Sequence, residues 1–140
     1  MNALVDTSVW SLALRRKPAD LTSAEQSVVG ELRDLTGEGR ARIIGLIRQE
    51  LLSGIKSAAQ CEKLRMALLA FPDELISTSD HEEAAKISNA CRSRGMVASV
   101  VDALICEVAL SRQWSIFSTD RDFRDYAKVV NIKLHIPRDR

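Results

Sequence analysis

Asn2-Ala3-Leu4-Val5-Asp6-Thr7-Ser8-Val9-Trp10 opens with an apolar run that stops abruptly on three polar residues. Consecutive rather than alternating apolar residues mark a strand covered on both faces, and such strands belong to parallel sheets flanked by helices. The stretch therefore reads as a buried strand over 2–5 feeding a helix from Ser8 to Arg16, where Lys17-Pro18 breaks it. The same design recurs near the other end. Trp114-Ser115-Ile116-Phe117-Ser118 is strand-like, and Thr119-Asp120 leads into a polar helix over 120–127.

Between these two units the pattern keeps alternating. Thr22-x-x-Glu25 is a capping box for a helix ending near Gly37 and Gly39. Residues 42–46 (R-I-I-G-L) read as a strand, 47–54 as a helix closed by Gly54, and 57–70 as a helix stopped by Pro72. A third strand is expected at Leu75-Ile76-Ser77, then a helix over 81–94 capped by Ser79 or Asp80 and terminated by Gly95. In 100–110 (V-V-D-A-L-I-C-E-V-A-L) the apolar positions 101, 104, 105, 108 and 109 form a helical stripe, with Asp102 and Glu107 the only charges. A last short strand fits 129–134. The expectation is an α/β sandwich around a mostly parallel sheet with right-handed crossovers. No repeat or linker divides the chain, so residues 1–140 read as one domain, with Arg138-Asp139-Arg140 as a frayed tail.

Composition narrows the function classes. At 140 residues and 46% hydrophobic the chain can bury a sizeable core. Twenty Lys plus Arg against nineteen Asp plus Glu leave +1, so any grip on a polyanion has to be local. No stretch is apolar enough to span a membrane and no signal-like segment opens the chain, which suggests a cytoplasmic protein. Cys61, Cys91 and Cys106 are an odd number without a C-x-x-C pair, and read as reduced packing residues. His81 and His135 belong to no ligand cluster, which argues against zinc. At 4% aromatic there are too few rings for a base-stacking platform.

The acids are placed more tellingly. Asp6 and Asp120 each follow a predicted strand, and ligands of open parallel sheets bind at that edge. Asp102 opens an otherwise apolar helix and needs compensation there, while Glu50 lies about one helical turn beyond the 42–46 strand. Singly, each has an ordinary reading: Asp6 as a helix cap, Asp102 as a first-turn acid, Glu50 as a solvated face, Asp120 and Asp122 as turn residues. Jointly, carboxylates without thiol or imidazole suit Mg²⁺ or Mn²⁺ and the hydrolysis of phosphodiesters. Thr7, Ser8 and Thr119 stand next to these acids as hydrogen-bonding support. Arg15-Arg16-Lys17, Arg92, Arg94, Arg121, Arg124 and Lys128 are candidate phosphate contacts, or simply solvated charges.

Four stretches, L-V-D-T-S-V-W at 4–10, E-L-L-S-G at 50–54, V-D-A-L-I-C-E-V-A-L at 101–110 and S-T-D-R-D-F at 118–123, resemble in order and spacing the acidic motifs of PIN-domain proteins. At this length the likeness is nearest to VapC-type toxins of toxin–antitoxin pairs. The resemblance implies a PIN-like three-layer α/β/α sandwich and a Mg²⁺- or Mn²⁺-dependent endoribonuclease with Asp6, Glu50, Asp102 and Asp120 as catalytic acids. It implies Asp6 and Asp102 as direct metal ligands, Asp120 and Glu50 holding metal-bound water or a second ion, and Asp122 as an auxiliary acid. It further implies an RNA substrate, a homodimer, and a VapB-type antitoxin through which alone DNA is contacted. Trp10, Leu12 and Leu14 face that antitoxin or, as ordinary amphipathic packing, the core. Two other classes compete: a Mg²⁺-binding phospho-receiver, disfavoured because a single acid ends the first strand, and a catalytically silent interaction module.

Overall fold

The computed structural model describes residues 1–139 and has an α/β architecture. Four short strands, β1 (Ala3–Val5), β2 (Ala41–Arg42), β3 (Ser115–Phe117) and β4 (Lys133–Leu134), form one sheet in the order β2-β1-β3-β4. Every pairing is parallel. The expected mostly parallel sheet is thus wholly parallel. Seven α-helices flank it: α1 (Thr7–Leu14), α2 (Ser23–Gly37), α3 (Gly45–Leu52), α4 (Ala58–Leu68), α5 (Thr78–Ser93), α6 (Val100–Arg112) and α7 (Asp122–Tyr126).

The chain leaves β1 for β2 on one side and later returns to build β3 on the other. The direction of strand addition therefore reverses at β1, and right-handed crossovers send the connecting helices to opposite faces. Accordingly α2 lies against β2, while α6 lies against β1 and β3 and packs along α5. A crevice opens beyond the carboxyl ends of β1 and β3, where the order switches. Both strands are fully buried, β1 as an unbroken apolar run and β3 with one polar residue, Ser115, whose hydroxyl donates to the Asn2 carbonyl. Trp10, Leu35, Ile43, Ile44, Ile47, Ile105, Ile116 and Phe117 belong to the same core. Trp10 donates from its indole nitrogen to the Val5 carbonyl at 3.0 Å and meets Phe71 edge to face, so Trp10 and Leu12 are core residues and only Leu14 reaches the surface.

Several sequence expectations need correction. The 42–46 strand ends at Arg42, because Gly45 already begins α3; Ile43 keeps only an isolated bridge to Asp73. Leu75-Ile76-Ser77 is not a strand. Leu75 is exposed, and Ser77 caps α5 by accepting from the Asp80 amide while the Asp80 carboxylate accepts from the Ser77 amide. That helix begins at Thr78 rather than at 81, since the capping box one register earlier satisfies both end amides. The Thr22–Glu25 box forms as read. The last strand is confined to Lys133–Leu134, and Arg138 is no frayed end: its guanidinium bonds Glu31 and Glu38. Arg140 lies outside the described residues. Among the described residues, no helix is long and apolar enough to cross a membrane.

Cys91 and Cys106 are buried and Cys61 partly so, all three unpaired. Burial pushes the Cys106 thiol up to about 12, so it behaves as a packing group.

Candidate active site

The register of the two central strands builds one wall of the site. Val5 pairs with Phe117, and the Asp6 amide donates to the Phe117 carbonyl at 2.9 Å, so one step further Asp6 stands opposite Ser118. Paired residues of adjacent strands present side chains to the same face. The Ser118 hydroxyl donates to Asp6 Oδ2 at 2.7 Å and Ser8 donates to the same oxygen at 3.0 Å. Each hydroxyl has one proton to give. Their acceptor lone pairs take the Asp120 amide (2.9 Å, on Ser118) and the Thr119 amide (3.1 Å, on Ser8), so the turn after β3 is tied to the turn after β1.

Asp6 occupies the cap position of α1, yet its side chain makes no capping bond. Although only 7% exposed, the carboxylate is turned towards Ser8 and Ser118. The capping explanation of D-T-S therefore fails for the side chain. The supporting hydroxyls are Ser8 and Ser118; Thr119 contributes its backbone amide.

Asp102 lies in the first turn of α6, whose cap Ser99 accepts from the Asp102 amide at 3.0 Å. Its carboxylate is half-buried and accepts a hydrogen bond from the Tyr126 hydroxyl, 2.8 Å away on α7. Burial raises the Asp102 carboxyl above its ordinary range, and the negative charges of Asp6 and Asp120 push the same way; the Tyr126 and Ser99 bonds oppose them. The Tyr126 phenol is itself held far above its ordinary value, by burial first and by Asp102 second. It stays a donor. Tyr126 escaped the sequence reading because no spacing marks it, although it follows Asp122 by four residues on one helical face.

Asp102, Asp120 and Asp122 each offer an oxygen to one group, the three atoms lying within 4.8 Å of one another. Asp120 Oδ1 also accepts from the Asp122 amide at 2.9 Å, so its turn role is real, and it leaves the second oxygen uncommitted. Asp6 is not a member of that trio, but it is near enough for its charge to act on Asp102. Glu50 is exposed on α3 and also outside the trio, held by the Thr7 hydroxyl at 2.9 Å beside Asp6. Arg48 does not neutralise Glu50; it bonds Asp73 and the carbonyls of Leu68 and Phe71. Among the described residues no Lys or Arg pairs with Asp6, Asp102, Asp120 or Asp122. Carboxylates gathered without a cation repel one another, and an oxygen-only donor set fits a hard divalent ion.

Comparison with known families matches residues 3–129 to the PIN domain. Comparison with curated protein sequences finds no match. Among solved structures, the chain is similar to one from FitAcB of Neisseria gonorrhoeae, with a TM-score of 0.75 at 19% identity over 96% of this chain and 97% of that one. It is similar to one from VapBC2 of Rickettsia felis bound to a promoter DNA fragment, at 0.70 and 16% over 96% and 98%. VapBC-1 from nontypeable Haemophilus influenzae follows at 0.71 and 12% over 96% and 97%.

Proposed function

The chain belongs to the PIN domain family, and from that premise we propose that it is a Mg²⁺- or Mn²⁺-dependent endoribonuclease, the toxin of a toxin–antitoxin pair. The observation that carries this reading is the approach of Asp102, Asp120 and Asp122 to within 4.8 Å at the sheet's switch point, with no cation to offset them. Asp102 is the shared member of the site, with Asp6 on its buried side and Asp120 and Asp122 on its open side. Asp6 and Asp102 hold the ion directly, Asp120 and Glu50 complete the acidic set, and Asp122 assists. When bound, the ion supplies the positive charge that admits an RNA phosphodiester to an acidic groove and offsets charge on the leaving oxygen.

The chain's own residues do the positioning. Ser8 and Ser118 fix the buried Asp6 oxygen in one orientation, and Tyr126 fixes Asp102. Both carboxylates are held by hydroxyl groups rather than by cations, so no Lys or Arg among the described residues competes with a ligand for them. Residues 1–140 act as a single PIN-like domain in the cytoplasm, as a homodimer, silenced by a VapB-type antitoxin that alone reads DNA. The structural neighbours from FitAcB and VapBC complexes support the antitoxin.

The test is cleavage of end-labelled cellular RNA by the purified, partner-free chain. Cleavage at discrete sites is expected with Mg²⁺ or Mn²⁺, and none with chelator or in Asp102→Asn. Cleavage that persists in chelator, or in a folded Asp102→Asn chain, refutes the assignment.

A further inference from the structure

A cleft of about 660 Å³ lies between the carboxyl end of α1 and the start of α4. Its charged lining consists of Arg15, Arg16, Lys17, Lys56 and Lys63, without one acid. This is a quarter of the twenty Lys and Arg of a chain whose net charge is only +1. All five are exposed, and among the described residues only Arg16 of the five makes an ion pair, a long one of 3.5 Å to Glu25. Of the other fourteen described Lys and Arg, seven make an ion pair, among them Arg65 with Glu62, Lys86 with Glu83 and Lys128 with Asp125. Unmatched like charges that line one concavity repel each other, and a polyanion relieves that repulsion.

Two elements lead from the acidic site to the cleft, α1 from Thr7 to Leu14 and α3 from Glu50 towards Gly54. Glu50, bonded to Thr7 at the start of α1, precedes Gly54 in the cleft wall by four residues. The seven steps of α1 from Thr7 to the cleft wall at Leu14 then cover about 10 Å, a distance that a few nucleotides of an extended strand bridge. We propose that this cleft binds the sugar–phosphate backbone of the RNA strand one to three nucleotides away from the scissile bond. The inference rests on the nuclease reading and adds the path of the substrate. The acidic end repels RNA in the absence of an ion, and the five cations of the cleft supply an attraction of the opposite sign a short distance away. No aromatic residue lines the cleft, so it holds backbone without stacking or reading bases. Its apolar floor, at Leu14 and Leu64, is covered by sugar edges.

The experiment measures binding of a fluorescently labelled single-stranded RNA 12-mer by polarisation, in chelator, across a salt series. Without metal no strand is cut and the acids only repel, so residual affinity reports the cleft. Lys56→Gln/Lys63→Gln removes two phosphate contacts; Lys86→Gln, on α5 and paired with Glu83, is the control. The slope of log affinity against log salt is expected to fall by about 1.4 in the double variant, with severalfold weaker binding at low salt, and to stay unchanged in the control. Equal slopes in double variant and wild type overturn the proposal, as does the absence of RNA binding at low salt. Displacement of labelled poly-glutamate that depends on Lys56 and Lys63, with RNA binding unaffected, also overturns it and assigns the cleft to an acidic peptide. Cleft-dependent binding without any metal-dependent cleavage would instead sink the nuclease reading and leave an RNA-binding cleft.

Discussion

Ser118→Ala isolates the contact that joins the two central strands at the site. The substitution deletes the 2.7 Å bond to the buried Asp6 carboxylate and the acceptor of the Asp120 amide. Asp120 is exposed, so water replaces the second bond at little cost, while Asp6 keeps only the 3.0 Å bond from Ser8. A hydrogen bond to a buried charge is worth about 1.5–3 kcal/mol, and the cavity left by one hydroxyl is small; a loss of about 2 kcal/mol follows. For a chain of 140 residues that corresponds to about 7 °C in Tm. In an Asp6→Asn background the acceptor is neutral and the same deletion costs about 1 kcal/mol, giving a coupling of about 1 kcal/mol. Urea denaturation of the four chains in chelator, followed by circular dichroism, measures both quantities. A Ser118→Ala loss under 0.5 kcal/mol, or the same loss with Asn at position 6, refutes the claim that this hydroxyl makes a charge-assisted bond that holds the carboxylate in place.

Three other outcomes follow from the same geometry. Tyr126→Phe removes a donor that favours ionised Asp102, so the acid limb of metal-dependent RNA cleavage moves to higher pH, with the rate at the low-pH end down roughly tenfold; an unmoved kcat/KM profile counts against the assignment. The Asp102 carboxyl titrates above its unfolded value, so ionising it costs stability as pH rises from the ordinary Asp range through that raised value. Asp102→Asn escapes the cost, and its Tm is expected to exceed wild type at neutral pH and to match it in acid, the two melting curves without metal deciding the point. Away from the site, Arg112 holds the Asp80 carboxyl far below its ordinary value through bonds of 2.6 and 2.9 Å, a contribution present above the unfolded Asp value and lost as pH falls. Arg112→Ala should cost about 3 kcal/mol, the lower end for a buried pair because Arg112 is 21% exposed, and a loss under 1 kcal/mol in urea would show the pair to be dispensable.

Local chemistry was legible wherever neighbours in sequence settle it. The unbroken apolar run at Ala3–Val5 and the Ile116-Phe117 pair identify strands buried on both faces, and Thr22 with Glu25 starts α2 as read. Where two local signals compete, the sequence misled. Leu75-Ile76-Ser77 has strand-like residues, but Ser77 and Asp80 form a capping box, and satisfying two helix-end amides outweighs a weak β preference on an exposed segment.

By itself the sequence determined the α/β alternation and the acids at strand ends, because these depend on periodicity, residue type and short spacing. It also held the order of motifs that resembles PIN domains. Only the tertiary structure decided that Asp122 joins Asp102 and Asp120, that Ser118 orients Asp6, and that Tyr126 fixes Asp102. It alone also gathered Arg15, Arg16 and Lys17 with Lys56 and Lys63 in one cleft. Tyr126 and Asp102 are separated by 24 residues of chain and Ser118 and Asp6 by 112, and their meeting depends on strand register and helix crossing. A one-residue slip between β1 and β3 would turn Ser118 to the opposite face from Asp6, and no short-range pattern encodes that register.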